Sequence, residues 1–194
     1  MTRLVALSSG SAAETTTFGD PRYLGYLGEV VYSGADPDLT GADAVWVPEG
    51  TPRRRLRAAA PQLDAVLRRG GMVLLFGDHQ SGWPGSASWT FRPAGGAGRT
   101  RTAGAWTGTE VGSAVQQLHH HGVLDPPDGA EVLLRTSDGA PVAYLDRIPS
   151  GGVTLVSTVD PLAHFGHTGS PECARFLDAL LPWVQDVLAQ CGGR

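Results

Sequence analysis

The chain has 194 residues, of which 41% are hydrophobic and 18% are charged, and these are the proportions of an ordinary globular protein. The length is sufficient for a sheet enclosed between two layers of helices, so we expect a single domain over residues 1–194. The formal net charge of -4 argues against nucleic acid or an anionic membrane as a partner. No segment approaches the roughly 20 apolar residues of a membrane-spanning helix.

Cysteine use and the N-terminal sequence predict a cytoplasmic protein. Cys173 and Cys191 are the only cysteines, and neither belongs to a CxxC pair. The short apolar run at residues 4–7 lacks the longer core and the cleavage site of a secretory signal. All fifteen basic residues are Arg, which is typical of a high-GC bacterial genome. We therefore interpret the run Arg53-Arg54-Arg55 as a solvated helix face.

Predicted strands alternate with predicted helices in the first half of the chain. Apolar runs predict four strands, at residues 3–7, 29–32, 44–47 and 72–76. Between them we expect a Ser/Gly/Thr-rich loop at 8–19 and a helix at 21–27. A longer helix is expected from Thr51-Pro52, as cap and first helical residue, to the stop Gly70-Gly71, with a kink at Pro61.

The second half begins with an irregular segment at residues 77–108, which we interpret as a long insertion or a hairpin. A short helix is expected at 110–119. Apolar patterns then predict three strands, at residues 132–135, 142–146 and 153–158. A C-terminal helix is expected from Ser170-Pro171 to Pro182, where it bends or breaks.

This alternation predicts an α/β fold of the flavodoxin-like type, with three layers and a mostly parallel central sheet. Antiparallel additions are expected near residues 132–146. In such sheets ligands bind at the carboxyl ends of the strands. Polar residues follow predicted strands at four places, residues 8–11, Glu49, residues 77–82 and residues 160–167.

The segment from Gly70 to His79, Gly-Gly-Met-Val-Leu-Leu-Phe-Gly-Asp-His, resembles the nucleophile-elbow region of class I glutamine amidotransferase-like proteins. In the amidotransferases of that family a Cys occupies the tip of the turn, and a His at the end of a later strand is its base. This chain has no Cys before Cys173, so the resemblance implies the fold without glutamine hydrolysis. The order of elements is similar over nearly the whole chain, except at residues 83–108.

The pattern is most similar to the cysteine-free branch, which includes ThuA-like proteins and the trimerisation domain of some β-galactosidases. In that branch a His can follow this strand, and His79 matches it. Pro48-Glu49-Gly50-Thr51 is also similar, as is Thr158-Val159-Asp160-Pro161 with His164, where the family places its base histidine. The resemblance thus implies site roles for Glu49, His79, Asp160 and His164.

His79 has two interpretations on physical grounds. Between Gly77 and Gly82 it has the backbone freedom and exposure of a general base, and imidazole titrates near neutral pH. Alternatively, its ring closes the loop through a hydrogen bond. Asp78 either orients that imidazole or, as we favour, caps a turn.

Asp160, His164 and His167 lie within eight residues and could supply three ligands to a divalent metal. Alternatively, Asp160-Pro161 starts a turn and His164 packs under the C-terminal helix, and Gly166 makes a helix there uncertain. We favour a site role for Asp160 or His164 and a packing role for His167. The expected cofactor is therefore none or a divalent metal.

Two clusters of rings remain ambiguous. His119, His120 and His121 invite a metal interpretation, but they cannot all face one point in a helix or a strand, so at most two could bind an ion together. A loop or helix-end cluster is the simpler interpretation, with His121-Gly122 as an alternative ligand-facing turn. Three tryptophans of the irregular section form either an aromatic wall for a flat ligand or a small core under the loop: Trp83, Trp89 and Trp106.

Two functions follow from the sequence. The first is an enzyme that acts on a small polar metabolite, carbohydrate- or amide-like. In it His79 or His164 is the general base and Glu49 is a proton donor or substrate clamp. The second is a non-catalytic ligand-binding or oligomerisation module, expected as a homo-oligomer with an apolar face around Trp183. Ser9-Gly10-Ser11 matches no phosphate-binding motif.

Overall fold

The structure is a computed structural model, and it describes residues 2–31, 37–77, 88–92, 100–149 and 151–192. The strands in these ranges are β1 (Leu4–Leu7), β2 (Leu27–Val31), β3 (Ala44–Val47), β4 (Met72–Phe76), β5 (Ser88–Phe91), β6 (Arg101–Thr102), β7 (Gly122–Asp125), β8 (Glu131–Arg135), β9 (Pro141–Arg147) and β10 (Val153–Ser157). The α-helices are α1 (Ala12–Phe18), α2 (Pro21–Leu24), α3 (Arg53–Arg68), α4 (Glu110–Val115), α5 (Pro161–Thr168) and α6 (Pro171–Gly192). A short 3-10 helix spans Gly104–Trp106.

Eight strands form one sheet in the order β2-β1-β3-β4-β10-β9-β8-β6. The first five are parallel to their neighbours, and their order is that of a flavodoxin-like doubly wound sheet. β9, β8 and β6 extend one edge as antiparallel strands. The predicted α/β fold, with a mostly parallel sheet and antiparallel additions, is therefore confirmed. β5 and β7 pair separately as a two-stranded antiparallel sheet.

Four of the parallel strands, β1, β3, β4 and β10, are buried on both faces because alternate side chains enter two different cores. In β1, Leu4 and Ala6 join the core that residues of α5 and α6 complete. Val5 and Leu7 join the second core, which lies beneath α3. This burial fixes the register of β1, since a slip by one residue would exchange the two sets of side chains.

The tryptophans within the described ranges serve packing and form no common wall. Trp106 is fully buried, and its ring centroid lies 6.1 Å from that of Phe176 and 5.8 Å from that of Trp183. Trp89 packs against the second core from β5. Trp83 lies outside the described residues. Trp183 is half-buried and contacts Trp106, and the apolar face expected around it stays a prediction.

The predicted loop at residues 8–19 is wrong, because residues 12–18 form α1. Ser11 caps this helix, and its hydroxyl accepts the amide hydrogen of Glu14 at 3.1 Å. Ser and Glu three residues apart are the signature of a capping box. The side chain of Glu14 turns to Ser8 and Ser9 instead of closing the box on Ser11.

Two prolines and one glycine lie inside helices instead of ending them. Pro182 lies inside α6 and Pro61 lies inside α3, and neither ends its helix. The buried faces of these helices offset the cost of an internal proline, about 3 kcal/mol. Gly166 lies within α5, where a Cβ would be 1.9 Å from the carbonyl oxygen of Ala13. Glycine therefore permits the close contact between α5 and α1.

Candidate functional site

The turn after β3 places Glu49 at the carboxyl edge of the sheet. Thr51 donates its hydroxyl to the carbonyl of Pro48 at 2.8 Å, and α3 begins after Pro52 without a side-chain cap, so the predicted Thr51 cap is wrong. Gly77 follows β4 with a φ of +89°, and a Cβ there would be 2.3 Å from the Cβ of Glu49. The position of Glu49 therefore requires glycine at residue 77.

The turn after β1 holds a buried carboxylate. Glu14 is 3% exposed and accepts hydrogen bonds from the Ser8 hydroxyl at 2.6 Å, the Ser9 amide at 2.6 Å and the Ser9 hydroxyl at 2.7 Å. Arg55 donates to the carbonyl of Ser8. Burial lowers the pKa of Arg55, whereas the charge of Glu14 opposes that shift. Because the Ser9 amide already donates its hydrogen bond to Glu14, it is not available to bind a phosphate.

The three consecutive histidines lie along the end of β10. The amide of His121 donates to the carbonyl of Thr158 at 3.0 Å, and His120 forms an isolated antiparallel bridge with Val159. Alternate side chains of an extended segment point to opposite sides. His120 is buried, whereas His119 is exposed and His121 is half-buried on the other side.

His121 links two groups of possible ligand atoms. Its Nε2 lies 3.1 Å from Nε2 of His119, and its Nδ1 lies 3.9 Å from Oε1 of Glu49. Two sets of three residues each offer ligand atoms within 4.8 Å of one another: His119 with His121 and His164, and Glu49 with His121 and Asp160. Among the described residues, no other group of three His, Cys, Asp or Glu side chains brings its ligand atoms this close together.

Helix α5 positions the remaining polar groups. Asp160 is its N-cap, is 7% exposed, and accepts the amide hydrogen of Ala163 at 3.3 Å. One turn later, Nε2 of His164 lies 3.9 Å from Oδ2 of Asp160. The His164 ring is edge-on to that of His119, with centroids 4.3 Å apart. His167 lies near the C-terminal end of α5 and belongs to neither set of three.

The surroundings of two histidines favour the neutral imidazole. Partial desolvation of its ring by the neighbouring side chains lowers the pKa of His119, and the charges of His164 and His121 lower it further. Burial also lowers the pKa of His120, whose Nδ1 has no hydrogen-bond partner among the described residues. A neutral imidazole keeps the lone pair that a general base or a metal ligand needs.

The two sets share His121 and together form one cluster of five residues: Glu49, His119, His121, Asp160 and His164. Three of the four residues predicted as catalytic belong to this cluster. Glu49 and Asp160 approach His121 directly, and His164 approaches both Asp160 and the histidine pair. His79, together with Asp78, lies outside the described residues. The catalytic roles of all four residues stay predictions.

The sequence left His119 and His121 as members of a loop or helix-end cluster, with no partners assigned to them, and the structure places both in the ligand sets. The available signal was their spacing, since residues two apart in an extended segment share a side. The predicted metal set of Asp160, His164 and His167 stays a prediction, and two of its members lie in the cluster.

An open cleft of about 260 Å³ adjoins the cluster. It is lined by the turns after β1 and β3 and by α5, with polar contributions from Ser9, Ser11, Glu49, Asp160 and His167. A larger groove of about 650 Å³ lies between α4 and α6, but it contains none of the clustered ligand groups. We therefore take the smaller cleft as the candidate site, since polar groups converge there at the carboxyl ends of parallel strands.

Comparisons with known proteins define the class of fold. No protein-family model and no curated protein sequence matches this chain. Among solved structures, PurLQS from Thermotoga maritima is 14% identical with a TM-score of 0.57, and the match covers 95% of this chain and 100% of that one. A glutamine amidotransferase from Thermotoga maritima is 9% identical with a TM-score of 0.55, over 97% of this chain and 96% of that one.

A third match is to part of a glycosidase. Alpha-L-fucosidase isoenzyme 2 from Paenibacillus thiaminolyticus is 13% identical with a TM-score of 0.59, and the match covers 95% of this chain and 33% of the fucosidase. The chain thus spans about a third of that protein. Together the likenesses show a glutamine amidotransferase-like α/β fold. No helix in the described ranges is both long and apolar enough to cross a membrane.

Proposed function

We propose that this protein binds a small polar metabolite, carbohydrate- or amide-like, at the carboxyl ends of β1, β3 and β10, and that it has no glutamine amidotransferase activity. One observation supports this most strongly. Glu49, His121 and Asp160 come from three separate segments, and their ligand atoms lie within 4.8 Å of one another beside a cleft. Converging polar groups in a concave surface are the usual mark of a ligand site.

The chemistry of the cleft favours a neutral ligand that is rich in hydrogen-bond donors. Glu49 and Asp160 are carboxylates, which only accept hydrogen bonds when they are ionised. The hydroxyl groups of a sugar or the N–H groups of an amide would donate to them, whereas an anionic ligand would meet like charge. A volume of about 260 Å³ lies just below the usual range of ligand pockets and suits a molecule no larger than a monosaccharide.

The location of the thiols supports the loss of amidotransferase chemistry. Cys173 is 3% exposed within α6, and burial raises the pKa of its thiol. A nucleophilic cysteine needs the opposite, a lowered pKa and access to solvent. Cys191 lies in the last turn of the same helix, so neither thiol belongs to the turn after β4. The ThuA-like, cysteine-free branch is therefore our proposed placement of this chain.

Any reaction of the bound metabolite would use the histidines of this edge. His164 is 40% exposed at its side chain, and its Nε2 lies 3.9 Å from Oδ2 of Asp160, which would orient the ring. Glu49 would hold the ligand or donate a proton. His79 stays a second candidate for the general base.

A binding screen tests the proposal. Thermal shift against neutral saccharides, polyols and primary amides selects ligands, and calorimetry then measures their affinity. We expect Glu49→Gln and Asp160→Asn each to weaken binding about tenfold, since each replaces a charged acceptor by a neutral amide with only one acceptor atom. Glu110→Gln and Asp178→Asn are matched controls in the groove between α4 and α6.

Two results would contradict the proposal. A ligand that binds the wild type and both site variants equally well would show that its site is not at the carboxyl ends of these strands. Ammonia release from glutamine above that of a heat-inactivated sample would show that amidotransferase-type chemistry is retained.

A non-catalytic assembly module is the second candidate. The fold covers only 33% of the Paenibacillus fucosidase, so it also occurs as one part of a larger glycosidase chain. Phe91 is 63% exposed and Leu24 is 55% exposed, which makes both available to a second copy. Light scattering after size exclusion would detect an oligomer that Phe91→Ser dissociates, whereas a monomer at all concentrations would exclude this candidate.

A further inference from the structure

We propose that His119, His121 and His164 form a binding site for one divalent transition-metal ion of the Zn²⁺ type. This site differs from the set Asp160, His164 and His167 that the sequence suggested. It shares His121 and His164 with the proposed metabolite site, but it is tested with the metal alone, so the two proposals can fail independently.

The spacing of the imidazoles fits a metal centre. Nε2 of His119 and Nε2 of His121 are 3.1 Å apart. Metal–nitrogen bonds of about 2.0–2.1 Å at a tetrahedral centre separate two ligand nitrogens by about 3.3 Å. A nitrogen of His164 lies within 4.8 Å of both, and its half-exposed side chain can close the remaining distance.

The fold holds the histidine pair on one side before any ion binds. His120 is anchored to Val159 by its bridge, and the amide of His121 is bound to the carbonyl of Thr158. The backbone of this segment is therefore fixed to β10, and its alternation directs His119 and His121 to the same side. A site whose ligands are already oriented loses less conformational entropy when it binds.

Carboxylates lie near the second ring nitrogens of two of the proposed ligands, His121 and His164. With Nε2 of His121 on the metal, Nδ1–H would face Oε1 of Glu49, at 3.9 Å. Oδ2 of Asp160 lies 3.9 Å from Nε2 of His164. Metal-bound histidines commonly donate their second N–H to a carboxylate, which fixes the tautomer and raises ligand basicity. Two nearby negative charges also offset the charge of a dication.

The type of ligand selects the ion. Three imidazole nitrogens favour Zn²⁺, Cu²⁺ or Ni²⁺, whereas Mg²⁺ and Ca²⁺ prefer oxygen ligands. His119 is exposed and His121 and His164 are half-buried, so solvent can occupy a fourth position. Three protein ligands and an open position are the arrangement of reactive zinc sites.

A hydrogen bond between His119 and His121 is the competing explanation of their short separation. In that case one ring donates and the other accepts, and His164 takes no part. The two explanations therefore differ in what they require of His164, and this difference decides the experiment.

The experiment uses the full chain without a polyhistidine tag, stripped with chelator and dialysed. Calorimetric titration with Zn²⁺ at neutral pH should give one ion per chain with micromolar or tighter affinity. Mg²⁺ at millimolar concentration should not compete. Substituting His119→Ala, His121→Ala or His164→Ala should each weaken Zn²⁺ binding by more than about tenfold, and Glu49→Gln by about tenfold. His167→Ala, which changes the same helix as His164→Ala, should bind as the wild type does.

Cobalt substitution supplies a second measurement that counts the ligands. Bound Co²⁺ should give visible absorption and three hyperfine-shifted imidazole N–H signals, and each histidine variant that retains the wild-type circular dichroism should lose one. Replacement by Gln repeats the test at any position where Ala lowers the apo-protein melting temperature. Absence of saturable Zn²⁺ binding, full affinity in His164→Ala, or an equal loss in His167→Ala would each overturn the proposal.

Discussion

Gly77 and Glu49 are in direct contact across the ends of β4 and β3, and a Cβ on Gly77 would lie 2.3 Å from the Cβ of Glu49. Gly77→Ala should therefore destabilise the protein by about 2–4 kcal/mol, since it combines overpacking with a positive φ. Urea unfolding measures this loss. Gly139→Ala is the control, because Gly139 has a φ of +93° but nothing within 4 Å, and about 1 kcal/mol is expected there. Equal losses would show that contact with Glu49 is unimportant.

Glu14 should be a stability residue of the turn after β1. Glu14→Gln replaces an acceptor of three hydrogen bonds from Ser8 and Ser9 by an amide that accepts at only one atom. We expect a loss of about 1–3 kcal/mol in the free energy of unfolding. Glu110→Gln, at the exposed first turn of α4, should change it by less than about 0.5 kcal/mol. A comparable effect of both changes would contradict this role.

The partly buried carboxyl of Asp146 should make the free energy of unfolding depend on pH. Burial raises the pKa of this carboxyl above its usual value of 3.8, so the folded state binds its proton more tightly than the unfolded state does. Its contribution to stability therefore falls as pH rises from 3.8 through the higher folded pKa. Asp146→Asn should stabilise the protein at pH 7.5, by at most about 1 kcal/mol, with a smaller gain near pH 4. Unfolding curves at both pH values measure this gain, and Asp186→Asn is a control at an exposed carboxyl. A gain in Asp146→Asn that did not grow with pH would contradict the prediction.

The two thiols should differ in reactivity. Cys173 is buried and its pKa is raised by burial, whereas Cys191 is partly exposed near the end of α6. Brief alkylation of the native protein at pH 7.5 should modify Cys191 at least about tenfold faster than Cys173, and both should react in urea. Peptide mass spectrometry gives the two rates. Rapid native modification of Cys173 would reopen the possibility of a nucleophilic thiol.

Much of the fold could be predicted because apolar periodicity is a local property. The fully apolar run of β4 is visible in the sequence, and the seven predicted strands lie close to their observed positions. β5, β6 and β7 are not predicted, because they lie in or after the irregular segment and are short. Helix α1 is not predicted, because the many Ser, Gly and Thr residues at 8–19 indicate a loop, although Ser11 and Glu14 have the spacing of a capping box. In α1 the hydroxyls of Thr15, Thr16 and Thr17 donate to carbonyls four residues earlier, so they do not compete with the helix.

The sequence by itself determined the α/β class, the polar residues after strands, and the absence of a cysteine at the turn after β4. It also suggested Glu49, His79, Asp160 and His164 as site residues, because they lie in polar segments that follow predicted strands and the resemblance implies roles for them. The tertiary structure decided that His121 lies between them. A hydrogen bond between His121 and Thr158, which are far apart in the chain, aligns the histidine segment with β10, and no local pattern encodes such a pairing.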